Sequence, residues 1–284
     1  MTTSSKSDMT AAAINPFYHS RIHRRDLRQQ DQVSDPVYAK LPMAPRNASP
    51  VPHLTSLYHF HRAGEYGDRS YPGNCGGNLI KDLLRFFNVR SCFDPMTGSG
   101  TCRDVCGEMG VYCYSSDLHQ NVDACDASQF PRECFEFAWI HPPYWRQKLY
   151  TDDPRDLSRT STLEAFLERY RLLIENCAGS LAPGGKLAIL MGDYMDREAG
   201  FVSLTYHAKQ LAFAVGLRQC CTDIIRFSHG ASSSHKVYRT SFIPGLHDVC
   251  MVFEKSRAMI LTPPAGHASS ALTSIPSAIE HLML

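Results

Sequence analysis

The stretch Phe93-Asp94-Pro95-Met96-Thr97-Gly98-Ser99-Gly100-Thr101 decides how the rest of the chain is read. A short apolar run, Val89 to Phe93, leads into it and has the character of a strand. Thr101 to Glu108 follows and reads as a helix. The unit is therefore a strand, a glycine turn and a helix. Gly98 and Gly100 can turn the backbone tightly and let a ligand approach it closely. The third glycine of the dinucleotide fingerprint is missing, and no Gly-Lys-Ser/Thr follows, so neither that site nor a phosphate loop is present here. An acid, Asp94, precedes the glycines and suits a ligand that carries a cationic group.

The same alternation continues outward. Asn78 to Phe87 (NLIKDLLRFF) predicts an amphipathic helix, Val111 to Ser115 a second strand and Phe137 to Ile140 a buried third one. Ser161 and Glu164 have capping-box spacing ahead of a long helix, marked by Leu163, Phe166, Leu167, Tyr170, Ile174, Cys177 and Leu181. Pro183-Gly184-Gly185 is expected to end that helix, and Lys186 to Met191 to form the next strand. Thr205 to Val215 predicts a helix, and Gln219 to Phe227 and Asp248 to Glu254 two final strands. Alternating strands and helices imply an α/β fold with a mostly parallel sheet covered on both faces. Ligands of such sheets sit beyond the carboxyl ends of the strands.

Two residue groups stand at those ends. The second strand runs into Ser116-Asp117, about 20 residues after the glycines, where an acid accepts hydrogen bonds from ribose hydroxyls in nucleotide-binding α/β folds; a plain helix cap is the alternative. Asp126, in Cys125-Asp126-Ala127, is either a loop acid or a partner for an adenine amino group. The third strand runs directly into His141-Pro142-Pro143-Tyr144-Trp145. Two prolines stiffen the chain and remove two N–H donors, which leaves carbonyls as acceptors beside an aromatic ring.

With those residues in view, the chain resembles the amino-group (adenine-N6 or cytosine-N4) DNA methyltransferase family. Asp94-Pro95-Met96-Thr97-Gly98-Ser99-Gly100-Thr101 is similar to its Asp-Pro-Phe-x-Gly-Ser-Gly-Thr motif, and His141-Pro142-Pro143-Tyr144 to its catalytic (Asp/Asn/Ser)-Pro-Pro-aromatic motif. Leu181-Ala182-Pro183-Gly184-Gly185-Lys186, Gly192-Asp193 and His247-Asp248 before Val252-Phe253 resemble later segments of the family, so the likeness spans roughly residues 70 to 255. It implies a class I methyltransferase-like, doubly wound sheet of seven mostly parallel strands with an antiparallel edge strand. It implies S-adenosyl-L-methionine as cofactor, held by Asp94, Pro95, Gly98, Gly100 and Thr101, with Asp117 on the ribose and Asp126 on the adenine. It assigns catalysis to His141, Pro142, Pro143 and Tyr144, with Tyr144 stacked on the target base. DNA is the implied partner; RNA, a protein glutamine amide and a non-catalytic binding module are the competing readings. The departure is His141, where the family carries an oxygen-bearing side chain. A neutral imidazole accepts one hydrogen bond and an imidazolium none, so activity is expected to fall below the ordinary histidine range, about pH 6.5.

The remaining features set limits. In 284 residues, 29 Lys and Arg face 28 Asp and Glu, which excludes a polybasic binder but not a local basic face. Trp145, Arg146 and Lys148, and farther on Ser233, Lys236 and Arg239, are the candidate nucleic-acid contacts. Residues 1–52 are expected to be a poorly ordered arm with a basic cluster from Arg21 to Arg28, residues 53–255 the folded domain and 256–284 a flexible tail. No apolar run approaches the roughly 20 residues of a membrane span, and no secretory signal is visible, so a cytoplasmic protein is expected. Its 11 cysteines read as buried reduced thiols. Cys102 and Cys106, four apart on a helix, read as core, and no His/Cys set has zinc spacing, so no metal is expected.

Overall fold

Strands buried on both faces need apolar side chains at successive positions, and the central strands supply them. The computed structural model describes residues 49–59, 64–131, 134–227, 243 and 245–257. Within these, the strands are β1 (Leu57–His59), β2 (Ser91–Asp94), β3 (Tyr112–Ser115), β4 (Phe135–Ile140), β5 (Leu181–Met191), β6 (Tyr194–Met195), β7 (Phe201–Val202), β8 (Leu217–Gln219), β9 (Ile224–Phe227) and β10 (His247–Lys255). The helices are α1 (Asn78–Phe86), α2 (Thr101–Met109), α3 (Leu163–Ser180) and α4 (Leu204–Ala214), with short 3-10 turns between.

The main sheet has the order β1-β9-β10-β5-β4-β2-β3, with β8 also paired to β10. β3, β2, β4 and β5 are mutually parallel. β10 runs against β5, β8 and β9. The expected reversed strand is thus present, and β9 and β1 continue the sheet beyond it. Eight strands form it where seven were expected: β1 was not read from the sequence, and the segment expected as one strand from Gln219 to Phe227 is broken into β8 and β9. β6 and β7 form a separate hairpin.

Alternation along the strands separates two cores. Ala138, Ile140, Leu187, Ile189, Met191, Met251 and Phe253 face α3 and α4, packing on Phe166, Tyr170, Ile174 and Ala208. Phe137, Trp139, Ala188, Leu190, Cys250 and Val252 face α1 and α2, packing on Leu79, Leu83 and Val105. Phe135 and Phe137 are two apart yet lie in opposite cores. The register break between them on β4, opposite β5, makes that parity change. The same irregularity absorbs Pro183-Gly184-Gly185 into β5, so α3 stops at Ser180 and not at the proline. The cap of α3 is Thr162, whose hydroxyl accepts from the Ala165 N–H at 3.2 Å, in place of the expected Ser161.

One buried charge pair crosses the sheet. Arg226 on β9 and Asp248 on β10 are register partners. Their side chains make two hydrogen bonds, at 2.8 and 2.5 Å, and Arg226 also donates to the Cys75 carbonyl at 2.9 Å. No described helix is long and apolar enough to cross a membrane. The basic cluster from Arg21 to Arg28, nearly all of the expected arm and tail, and Ser233, Lys236 and Arg239 lie outside the described residues.

Candidate ligand cavity

Parallel strands deliver their carboxyl ends to one edge, and β2, β3 and β4 open there onto a cavity of about 880 Å³, its open side included. Asp94, Pro95, Gly98, Thr101, Asp117, His141 and Pro143 all line it. Residues from three separate sequence stretches thus share one space.

Asp94 ends β2 and is 1% exposed. Its carboxylate accepts from the Met96 N–H at 3.1 Å and the Ser115 hydroxyl at 3.3 Å. Burial, with the Cys113 thiol beside it, pushes its pKa up to about 8 against those two hydrogen bonds. A cation set against it would favour the charged form. The glycine turn then folds back: Gly98 has φ 46°, and its N–H donates to Asp117 at 3.0 Å. Gly100, at φ 78°, starts α2 in the left-handed region that glycine tolerates. Asp117 also accepts from the His119 N–H at 2.9 Å and caps a 3-10 turn. It is therefore both the cap and the clamp that ties β3's end to the glycine turn. The Gln120 N–H completes this cap on the Asp117 side chain, and a carboxylate with about four acceptor sites keeps capacity for a ligand hydroxyl.

Asp126 does not line the cavity. Its carboxylate binds the Ser128 N–H and hydroxyl and the Gln129 amide, closing another short turn. Val122, Asp123 and Ala124 line the wall where Asp126 was expected. The Asp123 carboxylate is held by Arg169 at 3.1 Å and by the Cys125 N–H at 2.9 Å. A capping Asp and a cavity Asp three residues apart look alike in sequence; only the backbone turn separates them.

The proline loop is placed differently from its expected use. His141 and Pro143 reach the cavity, whereas Pro142 and Tyr144 do not line it. The Tyr144 ring lies over Gly192, where a Cβ would come within 2.7 Å of Cε2. Its hydroxyl is 3.2 Å from His141 Nε2. Burial drives the Tyr144 phenol well above its ordinary pKa, so it stays protonated. The aromatic walls of the cavity are Tyr71, Tyr150 and Trp139 instead. Tyr71 and Tyr150 stack with centroids 5.8 Å apart, and Tyr71 stands against Gly98 at 3.2 Å from a Cβ built there. Neither tyrosine was singled out from sequence. Tyr71 belongs to a segment that lies over the glycine turn, with the Asp68 N–H donating to the Ser99 carbonyl at 2.7 Å.

The expected nucleic-acid contacts divide. Trp145 is a correction: it is 2% exposed, its indole donates to the Thr160 carbonyl at 3.1 Å, and it belongs to the core. A left-handed φ of 47° at Trp145 turns the ring inward. Arg146 lies over that ring at 4.4 Å and makes a two-pronged pair with Asp196, at 2.7 and 2.8 Å, with Glu198 beside it. A guanidinium so held is committed to protein carboxylates. Lys148 is exposed. The fold also unites four cysteines that sequence spacing kept apart: Cys92, Cys102, Cys106 and Cys113. They come from a strand, a helix and the next strand, so no linear zinc motif marks them.

No protein-family model matches the chain. No curated protein matches it either. Among solved structures, the chain is similar to a DNA modification methylase candidate from Thermus thermophilus complexed with S-adenosyl-L-methionine, at 16% identity and a TM-score of 0.34, covering 64% of this chain and 59% of that one. It is also similar to a sarcosine dimethylglycine methyltransferase candidate from Galdieria sulphuraria, at 15% identity and a TM-score of 0.41, covering 64% of this chain and 85% of that one. The N-methyltransferase NodS from Bradyrhizobium japonicum, in complex with S-adenosyl-L-homocysteine, gives 15% identity and a TM-score of 0.33 over 64% of this chain and 74% of that one. Matched to the selenomethionine form of the Thermus protein, the chain spans about half of its length, 53%.

Proposed function

We propose that the chain is an S-adenosyl-L-methionine-dependent methyltransferase of the class I type, and that its acceptor is the exocyclic amino group of a DNA base, cytosine N4 or adenine N6. One observation carries this reading: the glycine turn with Asp94 and Asp117 and the His141-Pro142-Pro143 loop, which share motifs with the amino-group family, open into a single cavity at the carboxyl ends of parallel strands.

The donors present fit the cofactor. The buried Asp94 carboxylate faces the space where a cationic amino-acid end would sit, and Asp117 offers acceptors to a ribose. Val122, Asp123 and Ala124 would bound the adenine in place of Asp126. When bound, the cofactor supplies an electrophilic methyl group on a sulfonium. The chain's own residues would do the rest. A ring amine is a poor nucleophile, because its lone pair is delocalised into the ring. The acceptors of the proline loop would take its two hydrogens, one at a loop carbonyl and one at His141. Tyr144 then acts as a positioning residue. If His141 Nε2–H donates to the phenol oxygen, the ring nitrogen Nδ1 carries the acceptor lone pair. Orientation of this kind is worth up to about 7–11 kcal/mol in well-aligned cases. A base in a duplex must first be extruded, at a cost of a few kcal/mol. Tyr71 and Tyr150 are the rings placed to border it.

The test is tritiated methyl transfer from S-adenosyl-L-methionine to duplex DNA, RNA and protein in parallel. Label in DNA supports the reading. Label confined to RNA or protein replaces the acceptor, and cofactor binding with no transfer to any of the three leaves a binding module.

A further inference from the structure

The cysteines united by the fold form a group with its own geometry. Cys92 on β2 and Cys113 on β3 are direct register partners on neighbouring parallel strands. Cys102 and Cys106 are one turn apart on α2, which packs on the same face. The four Sγ atoms all lie within 4.8 Å of one another, with Cys92 and Cys102 at 3.6 Å. Cys92, Cys102 and Cys106 are buried and Cys113 half-buried. A pair across two strands and a pair along a helix thus bring four sulfurs into one cluster.

We infer that Cys92, Cys102, Cys106 and Cys113 form a structural four-thiolate zinc site beneath the glycine turn. Zinc–sulfur bonds of about 2.3 Å place tetrahedral sulfurs about 3.8 Å apart, and no two of the four sulfurs here are more than about 1 Å farther apart than that. An iron–sulfur cube needs room for sulfides between its cysteines, and four sulfurs this close enclose a single ion. Four thiolates in tetrahedral array select zinc among divalent ions. On binding, four S–H bonds lose their protons to solvent, four Zn–S bonds form, and no electron is transferred. The site then carries two negative charges. Cys102 sits in the first turn of α2, where the helix dipole favours negative charge. Isolated buried cysteines pack as small apolar residues. That accounts for one thiol at a time but not for four sulfurs gathered within 4.8 Å of one another. The ion would pin β2, β3 and α2 together directly behind Asp94 and Asp117, and Cys102 itself lines the cavity. This inference does not depend on the methyltransferase reading, since it concerns the thiols alone.

The full chain, produced with zinc and purified under reducing conditions, is analysed by elemental mass spectrometry; about one zinc per chain is expected. Titration with an organomercurial should release that zinc as four protected thiols react. Replacement by cobalt should give intense thiolate-to-cobalt charge transfer and tetrahedral ligand-field bands. Cys92→Ser and Cys106→Ser should each lose the metal, while the exposed pair Cys220→Ser and Cys221→Ser should keep it. The wild-type release and cobalt spectra test the site even where a cluster variant does not fold. The inference is overturned by a chain that carries no zinc after production with it, whatever the reactivity of its thiols, by a Cys92–Cys102 disulfide, or by iron in place of zinc.

Discussion

Asp94→Asn separates a charge role from a packing role at the heart of the cavity. The substitution keeps the shape of a side chain that is 1% exposed and leaves one oxygen to accept from the Met96 N–H. It removes the charge that a bound cation would draw onto the buried carboxyl and puts an NH₂ donor where the second oxygen was. A hydrogen bond to a charged group is worth about 1.5–3 kcal/mol, so the dissociation constant for S-adenosyl-L-methionine should rise about 10- to 150-fold. Titration calorimetry of parent and variant measures this. The control is methylthioadenosine, which keeps the nucleoside and the sulfur, as an uncharged thioether, but lacks the amino-acid end. Its affinity should change by less than about threefold, because only charge at the far end of the ligand was altered. Equal losses for both ligands would mean that the substitution damaged the cavity. Unchanged affinity for both would mean that Asp94 does not meet the cationic end. Either result refutes the assignment.

Other consequences concern packing and stability. Gly192→Ala places a Cβ 2.7 Å from the Tyr144 ring and must displace it from His141. Methyl transfer should fall about 10- to 100-fold, as expected for a misplacement near 1 Å, with cofactor affinity by calorimetry unchanged. Arg226→Met takes the guanidinium away from the buried Asp248 and should cost about 3–5 kcal/mol. Differential scanning calorimetry would then show Tm lowered by about 6–20 °C. Replacing both residues by apolar ones should recover most of that loss. Trp145→Ala should cost about 3–5 kcal/mol of stability, measured by urea unfolding. It should leave the salt dependence of any DNA binding unaltered, because the ring is in the core.

The legible parts of this molecule were the local ones. The helical spacing of Leu79, Ile80, Leu83 and Leu84 and the unbroken apolar run from Leu187 to Met191 are visible in sequence, and α1 and the buried part of β5 follow from them. The glycine turn announced itself because Gly98 and Gly100 need positive φ. What stayed hidden depends on contacts between distant segments. Pro183-Gly184-Gly185 looks like a helix stop, yet pairing with β4 through a register break draws it into a strand. Trp145 follows two prolines at a ligand edge, and its burial hangs on a single left-handed backbone angle. Tyr71 and Tyr150 are about 80 residues apart and meet only because the segment before α1 lies over the glycine turn. The four cysteines belong to the same class, since register across β2 and β3 has no trace in linear spacing.

The most direct test of the central claim is chemical identification of the product. Duplex DNA incubated with the protein and S-adenosyl-L-methionine is digested to nucleosides and analysed by mass spectrometry. A cavity that presents a base amine to the methyl donor predicts N4-methylcytosine or N6-methyladenine, absent when Asp94→Asn replaces the parent at a cofactor concentration below the variant's dissociation constant. Methyl groups found only on ring carbons, or no modified nucleoside from a protein that demonstrably binds the cofactor, would contradict it.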